Sequence, residues 1–327
     1  MKNTEQTRRD FDRYIEKKEE ILIKNKKIRF INLKKILRPT LRFALHIQRI
    51  INKQTVEFIN KDIPKTDKKI VFVVSHIGKW DFEIINEQIK QHFHIIASDY
   101  MNMHKTFGET FMKANGVIFV DIDNKKDRMN SQEMMNKVLK QNDNMMIFPE
   151  GTWNLSENNI INDIHFGAVE IALKNDAVIV PIALEQYNKR FVINIGNLFD
   201  PSDVMSKYTD SKYDLLIDES MKFKIKLEAN KILRDKMATL KYEIWNQQGV
   251  VERNKIPYDY WKEFINERCA EWPGYSMSEQ YRNGCFPREK KEYYNMINEL
   301  SKMKINKNNE FLFMNKDEFV KTYTKRR

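Results

Sequence analysis

The chain has 327 residues, 31% of them charged and 41% hydrophobic, which suits one large or two small domains around a real core. A net charge of +11 and a pI near 9.3 favour an acidic partner, whether nucleic acid, anionic lipid or a phosphorylated substrate, without choosing among them. Two cysteines, Cys269 and Cys285, exclude a disulfide framework or a paired-cysteine zinc site, and make a reducing cytosol the default compartment. The longest apolar run, residues 177–184, holds Pro181 and falls well short of the about 20 residues of a spanning helix. No apolar core follows the opening MKNTEQTRRD, so it does not read as a signal peptide.

Residues 1–20 are densely charged with both signs and read as a solvated helix. From Ile21 to Val56 there is no acid but ten Lys and Arg: Lys24, Lys26, Lys27, Arg29, Lys34, Lys35, Arg38, Arg42, Arg49 and Lys53. Phe30, Leu33, Leu37, Leu41, Ala44 and Ile51 recur at helical spacing, with a break expected at Pro39. A basic amphipathic segment of this kind suits an anionic membrane surface. Residues 60–69 are polar, contain Pro64, and read as a linker.

Residues 70–74, IVFVV, predict a strand buried on both faces. Ser75, His76, Gly78 and Asp81 follow, and Ile84, Ile85 and Ile89 then predict a helix from about Trp80. Five residues along a regular helix turn the chain by about 500°, so His76 and Asp81 can meet only if the chain bends between them. Gly78 is the expected flexible point. The pair would then be an imidazole oriented by an acid in the first turn of a helix, the arrangement of a general base. Ser75, continuing the strand, would point to the opposite face and is not expected to be a nucleophile.

Further strands are expected at 93–98, 116–121, 145–148, 177–184 and 191–196, with helices at 103–115, 128–141, 166–174 and 222–247. Alternation of this kind predicts an α/β fold: a largely parallel central sheet flanked by helices, with the basic N-terminal segment and a helical C-terminal extension. The expected division is 1–60, membrane-association segment; 61–247, α/β core; 248–327, an extension of unreadable role. His76, Asp121 and Glu150 all fall at strand carboxyl ends, where such sheets bind ligands. His92 and His94 alternate on a strand; two histidines without further ligands read as surface residues, and no metal is expected.

Four blocks stand in one order: SHIGKWD at 75–81, GVIFVD at 116–121, FPEGT at 148–152 and VIVPIAL at 178–184. Together they resemble the glycerolipid acyltransferase superfamily, in particular the 1-acylglycerol-3-phosphate acyltransferases typified by the bacterial enzymes, over about residues 28–247. The resemblance implies acyl transfer from an acyl thioester, on coenzyme A or acyl carrier protein as co-substrate and with no bound cofactor, to a lipid alcohol. His76 would be the base and Asp81 its partner. Glu150, Gly151, Thr152, Lys79, Trp153, Lys125 and Arg128 are the expected substrate contacts, with Glu150 positioning acceptor hydroxyls and amides around Gly151 near the oxyanion. The sequence departs from the family at three places: Ser75 for an Asn, and Ile122 and Trp153 for arginines associated with the acceptor's phosphate. Lys125, Lys126 and Arg128 lie just beyond Ile122. A sugar alcohol, as in O-acylation of a glycan or cell-surface polymer precursor, therefore stands beside a lysophospholipid as acceptor. A non-catalytic basic membrane or nucleic-acid binding protein is the reading of another class. The FPEGT block and its pairing with His-x4-Asp do not fit it, so no nucleic acid is expected. The expected location is cytoplasmic, peripheral on the inner face of the cell membrane.

Overall fold

A computed structural model describes residues 30–78, 80–97, 107–121, 124–151, 154, 160–216 and 218–248. Helix α1 (Ile31–Ile51) leads into strand β1 (Thr55–Asn60). Then follow β2 (Ile70–Val74), α2 (Asp81–Gln88), β3 (Phe93–Ala97), α3 (Phe107–Asn115), β4 (Val117–Phe119), α4 (Lys125–Lys140) and β5 (Asn144–Ile147). The remainder is α5 (Gly167–Lys174), β6 (Val178–Tyr187), β7 (Arg190–Ile195), α6 (Ser202–Met205), a 3₁₀ turn (Tyr213–Leu215) and the long α7 (Glu219–Gln248).

The strands form one sheet in the order β1-β7-β6-β2-β5-β3-β4. Neighbours are parallel except β6 and β7. Those two form a hairpin whose turn places Asn188 at φ 60°, a conformation asparagine tolerates better than most residues. The α/β class and the largely parallel sheet are as expected. Strand β1 is not: residues 55–60 pair with β7, so the sheet begins inside the segment read as membrane-associated.

Every residue of β2 is buried, and its side chains alternate between two cores. Val71 and Val73 face α4, α5 and α7; Ile70, Phe72 and Val74 face Ile84, Ile85 and Ile89 of α2 and its end. The result is helix, sheet and helix in three layers, with β2 in the middle of the sheet and its carboxyl end ringed by loops.

Helix α1 departs from expectation twice. It runs unbroken through Pro39. An interior proline costs a helix about 3 kcal/mol, and here side-chain anchors hold the helix on either side of it. Arg38 is buried and donates to Asn115 Oδ1 (2.6 Å), Asn86 O (3.0 Å) and Ile89 O (2.8 Å), and also to Asn86 Oδ1. Its guanidinium lies over the Phe93 ring. Arg42 donates to Glu87 O at 2.7 Å, and Arg49 Nε to Glu87 Oε2 at 2.6 Å. The second departure follows from the first. Of the basic residues expected to face a membrane, Lys34, Lys35, Arg38, Arg42 and Arg49 reach back to the protein. Leu33, Ile36, Leu37, Phe43, Ile47, Ile50 and Ile51 are exposed instead, Ile36 by 73%. Elsewhere among the described residues, large exposed apolar side chains are confined to Met129, Tyr208 and Leu215, apart from Phe30 at the helix start.

Candidate active site

His76 stands two residues beyond the end of β2, and Asp81 opens α2. The chain between them bends so that His76 Nδ1 lies 2.8 Å from Asp81 Oδ2. The same oxygen accepts the amides of Ile77 (2.5 Å) and Gly78 (2.9 Å). Asp81 is fully buried, and its charge sits at the amino end of a helix, where the peptide dipoles favour it. Three donors on one oxygen fix the carboxylate without help from a metal or a lysine. Since a carboxylate only accepts, Nδ1 carries a hydrogen, and Nε2 is the basic nitrogen. The imidazole is half-buried, stacked on Phe148 at 4.1 Å between ring centroids.

The bend does not depend on Gly78 in the way expected. Its backbone is not left-handed, and a Cβ there would meet only Gln186 Oε1 at 3.6 Å, an ordinary contact. What position 78 supplies is an amide aimed at Asp81. Gly151 is the glycine that conformation demands: its φ is +69°, and a Cβ would lie 2.9 Å from His165 Nε2. Its own amide is donated to Phe148 O at 3.1 Å; the amides of the next two residues lie outside the described residues.

Glu150 lies beside His76 and holds the backbone there. Both oxygens meet main-chain amides: His76 N to Oε1 and Asn162 N to Oε2, each at 2.9 Å. It is buried, and burial pushes its carboxyl above the ordinary range, with the two amides and Lys241 opposing that shift. The carboxylate thus forms a clamp that joins the peptide of His76 to the loop after β5. Asn154 completes the clamp by donating its amide to His76 O at 2.5 Å. Asn154 and Asn162 were not legible in the sequence, because they act through backbone amides that any residue possesses. Phe148 was legible only as part of the FPEGT block.

Ser75 is fully buried. Its hydroxyl donates to Leu184 O (3.2 Å) and accepts Leu184 N (2.9 Å), which ties the end of β2 to β6 and leaves no path to a substrate. Leu184 O also accepts Lys241 Nζ at 2.6 Å, and Lys241 pairs with Glu185 at 3.0 Å; both ions are fully buried. Trp245 Nε1 donates to Glu185 at 2.8 Å. A charged network on α7 therefore supports the strand behind His76.

Of the remaining candidates, Lys125 and Arg128 lie beyond a different strand. Lys125 and Arg128 are exposed in the first turn of α4, after the edge strand β4. Asp121 follows the same strand and takes Asp127 Oδ2 on its amide at 2.7 Å. Strand β4 is three positions from β2, about 14 Å at the usual strand spacing. Lys79, Thr152, Trp153 and Ile122 lie outside the described residues, as do residues 1–29 and 249–327.

A histidine held by a buried acid at the carboxyl end of a central parallel strand defines an α/β domain equipped for general-base chemistry. Residues 54–185 match the family model described as Acyltransferase. An uncharacterized acyltransferase of Schizosaccharomyces pombe is 26% identical over 167 residues, which are 48% of this chain and 60% of the relative. The chain thus spans less than two thirds of that protein's length. The crystal structure of the 1-acyl-sn-glycerophosphate acyltransferase PlsC from Thermotoga maritima aligns with a TM-score of 0.43 and 13% identity, covering 66% of this chain and 87% of that one.

Proposed function

We propose that the chain is an O-acyltransferase that moves a fatty acyl group from an acyl thioester, on coenzyme A or acyl carrier protein, to a hydroxyl of a lysophospholipid or related glycerolipid. The observation that carries this reading is the 2.8 Å contact of His76 with the buried, triply bonded Asp81. His76 Nε2 takes the hydroxyl proton as the alcohol oxygen attacks the thioester carbonyl. Collapse of the tetrahedral intermediate breaks the carbon–sulfur bond, and the imidazolium proton neutralises the thiolate. Thiols have a pKa near 8.5, so this leaving group needs little further help. Asp81 stabilises the imidazolium, and general-base assistance of this kind contributes about 10²- to 10⁴-fold. Glu150 acts by holding the His76 peptide. The test is thiol release from an acyl-CoA series with candidate acceptors. His76→Ala abolishes it in a folded protein; wild-type turnover in that variant would sink the assignment.

A second acceptor class is favoured by one placement. Lys125 and Arg128 lie on the helix after β4, a strand about 14 Å across the sheet from β2, and Ile122 and Trp153 offer no guanidinium. That suits an acceptor with no phosphate at this position, such as the sugar hydroxyl of a glycan or cell-surface polymer precursor. Competition between lysophosphatidate and neutral or sugar-based alcohols at fixed donor decides between the two.

The enzyme works peripherally at a membrane surface, on its cytoplasmic side, where thioester donors are found. Among the described residues no helix is long and apolar enough to cross a bilayer. The outward apolar face of α1 supports docking by shallow insertion. Because Arg38, Arg42 and Arg49 face inward, apolar burial dominates over attraction to anionic lipid. Flotation with neutral and anionic vesicles tests this. Phe43→Asp with Ile47→Asp releases the protein from both, and unchanged flotation of that variant would remove α1 from the account.

A further inference from the structure

We propose that His92, His94 and Asp143 form a site for one divalent transition-metal ion of the zinc class, at the amino edge of the sheet opposite the His76 site. His92 and His94 were read from the sequence as surface residues with no third ligand. The fold overturns this. All three side chains are buried, with 6%, 2% and 1% exposure. Asp143 immediately precedes β5, and β5 pairs with β3, so the acid arrives beside the two histidines from 49 and 51 residues away.

The ring contacts turn both histidines toward one carboxylate oxygen. His92 Nε2 lies 2.7 Å from Asn115 O, and a carbonyl only accepts, so Nε2 carries a hydrogen. Its other ring nitrogen, Nδ1, faces Asp143 Oδ2 2.8 Å away. His94 Nδ1 reaches the same oxygen, also at 2.8 Å. Ligand atoms of the three residues lie within 4.8 Å of one another. Two imidazole nitrogens and a carboxylate oxygen form the three-ligand set in which zinc keeps a fourth position for water. At metal–ligand bonds of about 2.0–2.1 Å, tetrahedral ligands are about 3.3 Å apart, so each nitrogen–oxygen pair opens by about half an ångström, while the two nitrogens, within 4.8 Å of each other, settle to that spacing.

The surroundings fit a metal ligand set. The Nε2–Asn115 bond is the outer contact that ligating histidines make to fix ring and tautomer. Asp143 Oδ1 is buried and accepts no hydrogen bond; Lys35 Nζ stands 3.8 Å from it, which leaves Oδ2 for the ion. Gly116 has φ +111°, and a Cβ there would lie 2.7 Å from His94 Cδ2 and Nε2. The glycine that opens GVIFVD thus makes room for the His94 ring. A cleft of about 330 Å³, lined by Lys35, Arg38, Lys90, His92 and Asp143 among others, gives a way in. Binding ties β3 to β5, a structural role remote from the acyl chemistry.

The test uses the full chain without a polyhistidine tag, stripped with chelator and titrated with Co²⁺ and then Zn²⁺. One equivalent of Co²⁺ develops the visible bands of a four-coordinate site, and Zn²⁺ abolishes them. At free zinc of 100 times Kd the melting midpoint rises by about 5–10 °C. Asp143→Asn and His94→Gln lose the cobalt bands, while His165→Gln keeps them. Absence of stoichiometric binding in the wild type, or bands that persist in both cluster variants, overturns the proposal, and a proton then holds His92 as an imidazolium against Asp143. If the cluster variants do not fold, zinc X-ray absorption on the wild type decides. Two imidazoles and a carboxylate support the site, and thiolate ligands refute it.

Discussion

Replacing Asp81 by Asn tests the catalytic reading with little change of shape. Asp81 Oδ2 receives His76 Nδ1 and two amides, whereas Oδ1 is buried without a hydrogen-bond partner. An asparagine therefore keeps its oxygen at the Oδ2 position and puts its NH₂ where no acceptor waits. That orphaned donor costs about 1–3 kcal/mol of stability. His76 keeps its tautomer but loses the negative charge that stabilises the imidazolium. Exchanging a charged for a neutral hydrogen bond removes about 1.5 kcal/mol, roughly tenfold in rate. Full Coulomb attraction at about 4 Å and an effective dielectric constant near 20 would be about 4 kcal/mol, roughly 10³-fold. The expected fall in kcat lies between these bounds, with donor KM little changed. The assay is steady-state thiol release, with circular dichroism and a melt to verify the fold. A folded Asp81→Asn enzyme within threefold of wild-type kcat refutes the role of Asp81, and a large rise in donor KM at constant kcat assigns it to binding.

Other expectations follow from particular contacts. Arg38→Met strands the carbonyls of Asn86, Asn115 and Ile89; chemical denaturation should show a loss of about 3 kcal/mol or more, and a loss under 1 kcal/mol would mean α1 is not held by this residue. Gly151→Ala, forced into a left-handed conformation against His165, should cost about 1–2 kcal/mol, while Gly78→Ala stays within about 0.5 kcal/mol; equal effects would contradict the assigned backbone geometry. Lys241→Met leaves Glu185 buried without its cation and should cost about 3–5 kcal/mol. Adding Glu185→Leu should recover most of that loss, and a double variant as unstable as the single would show that the pair is not the cause.

Sequence periodicity located most of the core because buried parallel strands are uninterrupted apolar runs. IVFVV and VIVPIAL are such runs, and both are central strands. Strand β1 escaped because TVEFIN lies at the sheet edge, half exposed, with an acid in its middle. The His76–Asp81 contact was legible because five residues and one strand end determine it. The clamp was not. Glu150 takes the main-chain amides of His76 and Asn162, Asn154 donates its own to His76 O, and Lys241 reaches Leu184 of β6 from 57 residues away through a carbonyl. Asp143 was invisible for the same reason: no spacing rule connects it to His92 before β3 and β5 are known to pair.

Helix α1 shows a different limit. Its spacing revealed two faces, one apolar and one basic, but periodicity carries no sign: it cannot say which face meets the protein. The usual assumption, apolar inward, holds when the surface underneath is apolar. Here the surface offers Glu87, the Asn86 and Asn115 side chains, and the carbonyl of Ile89 at the end of α2. Those acceptors need donors when buried, and arginines at 38, 42 and 49 supply them in a planar fork. The apolar face is then turned outward by the fixed geometry of the helix. Water does not stabilise such a stripe, and a bilayer interface does. The buried arginines and the exposed isoleucines are thus one arrangement, in which polar contacts dock the helix on the domain and leave its apolar side outward, the face that the proposed membrane docking would use.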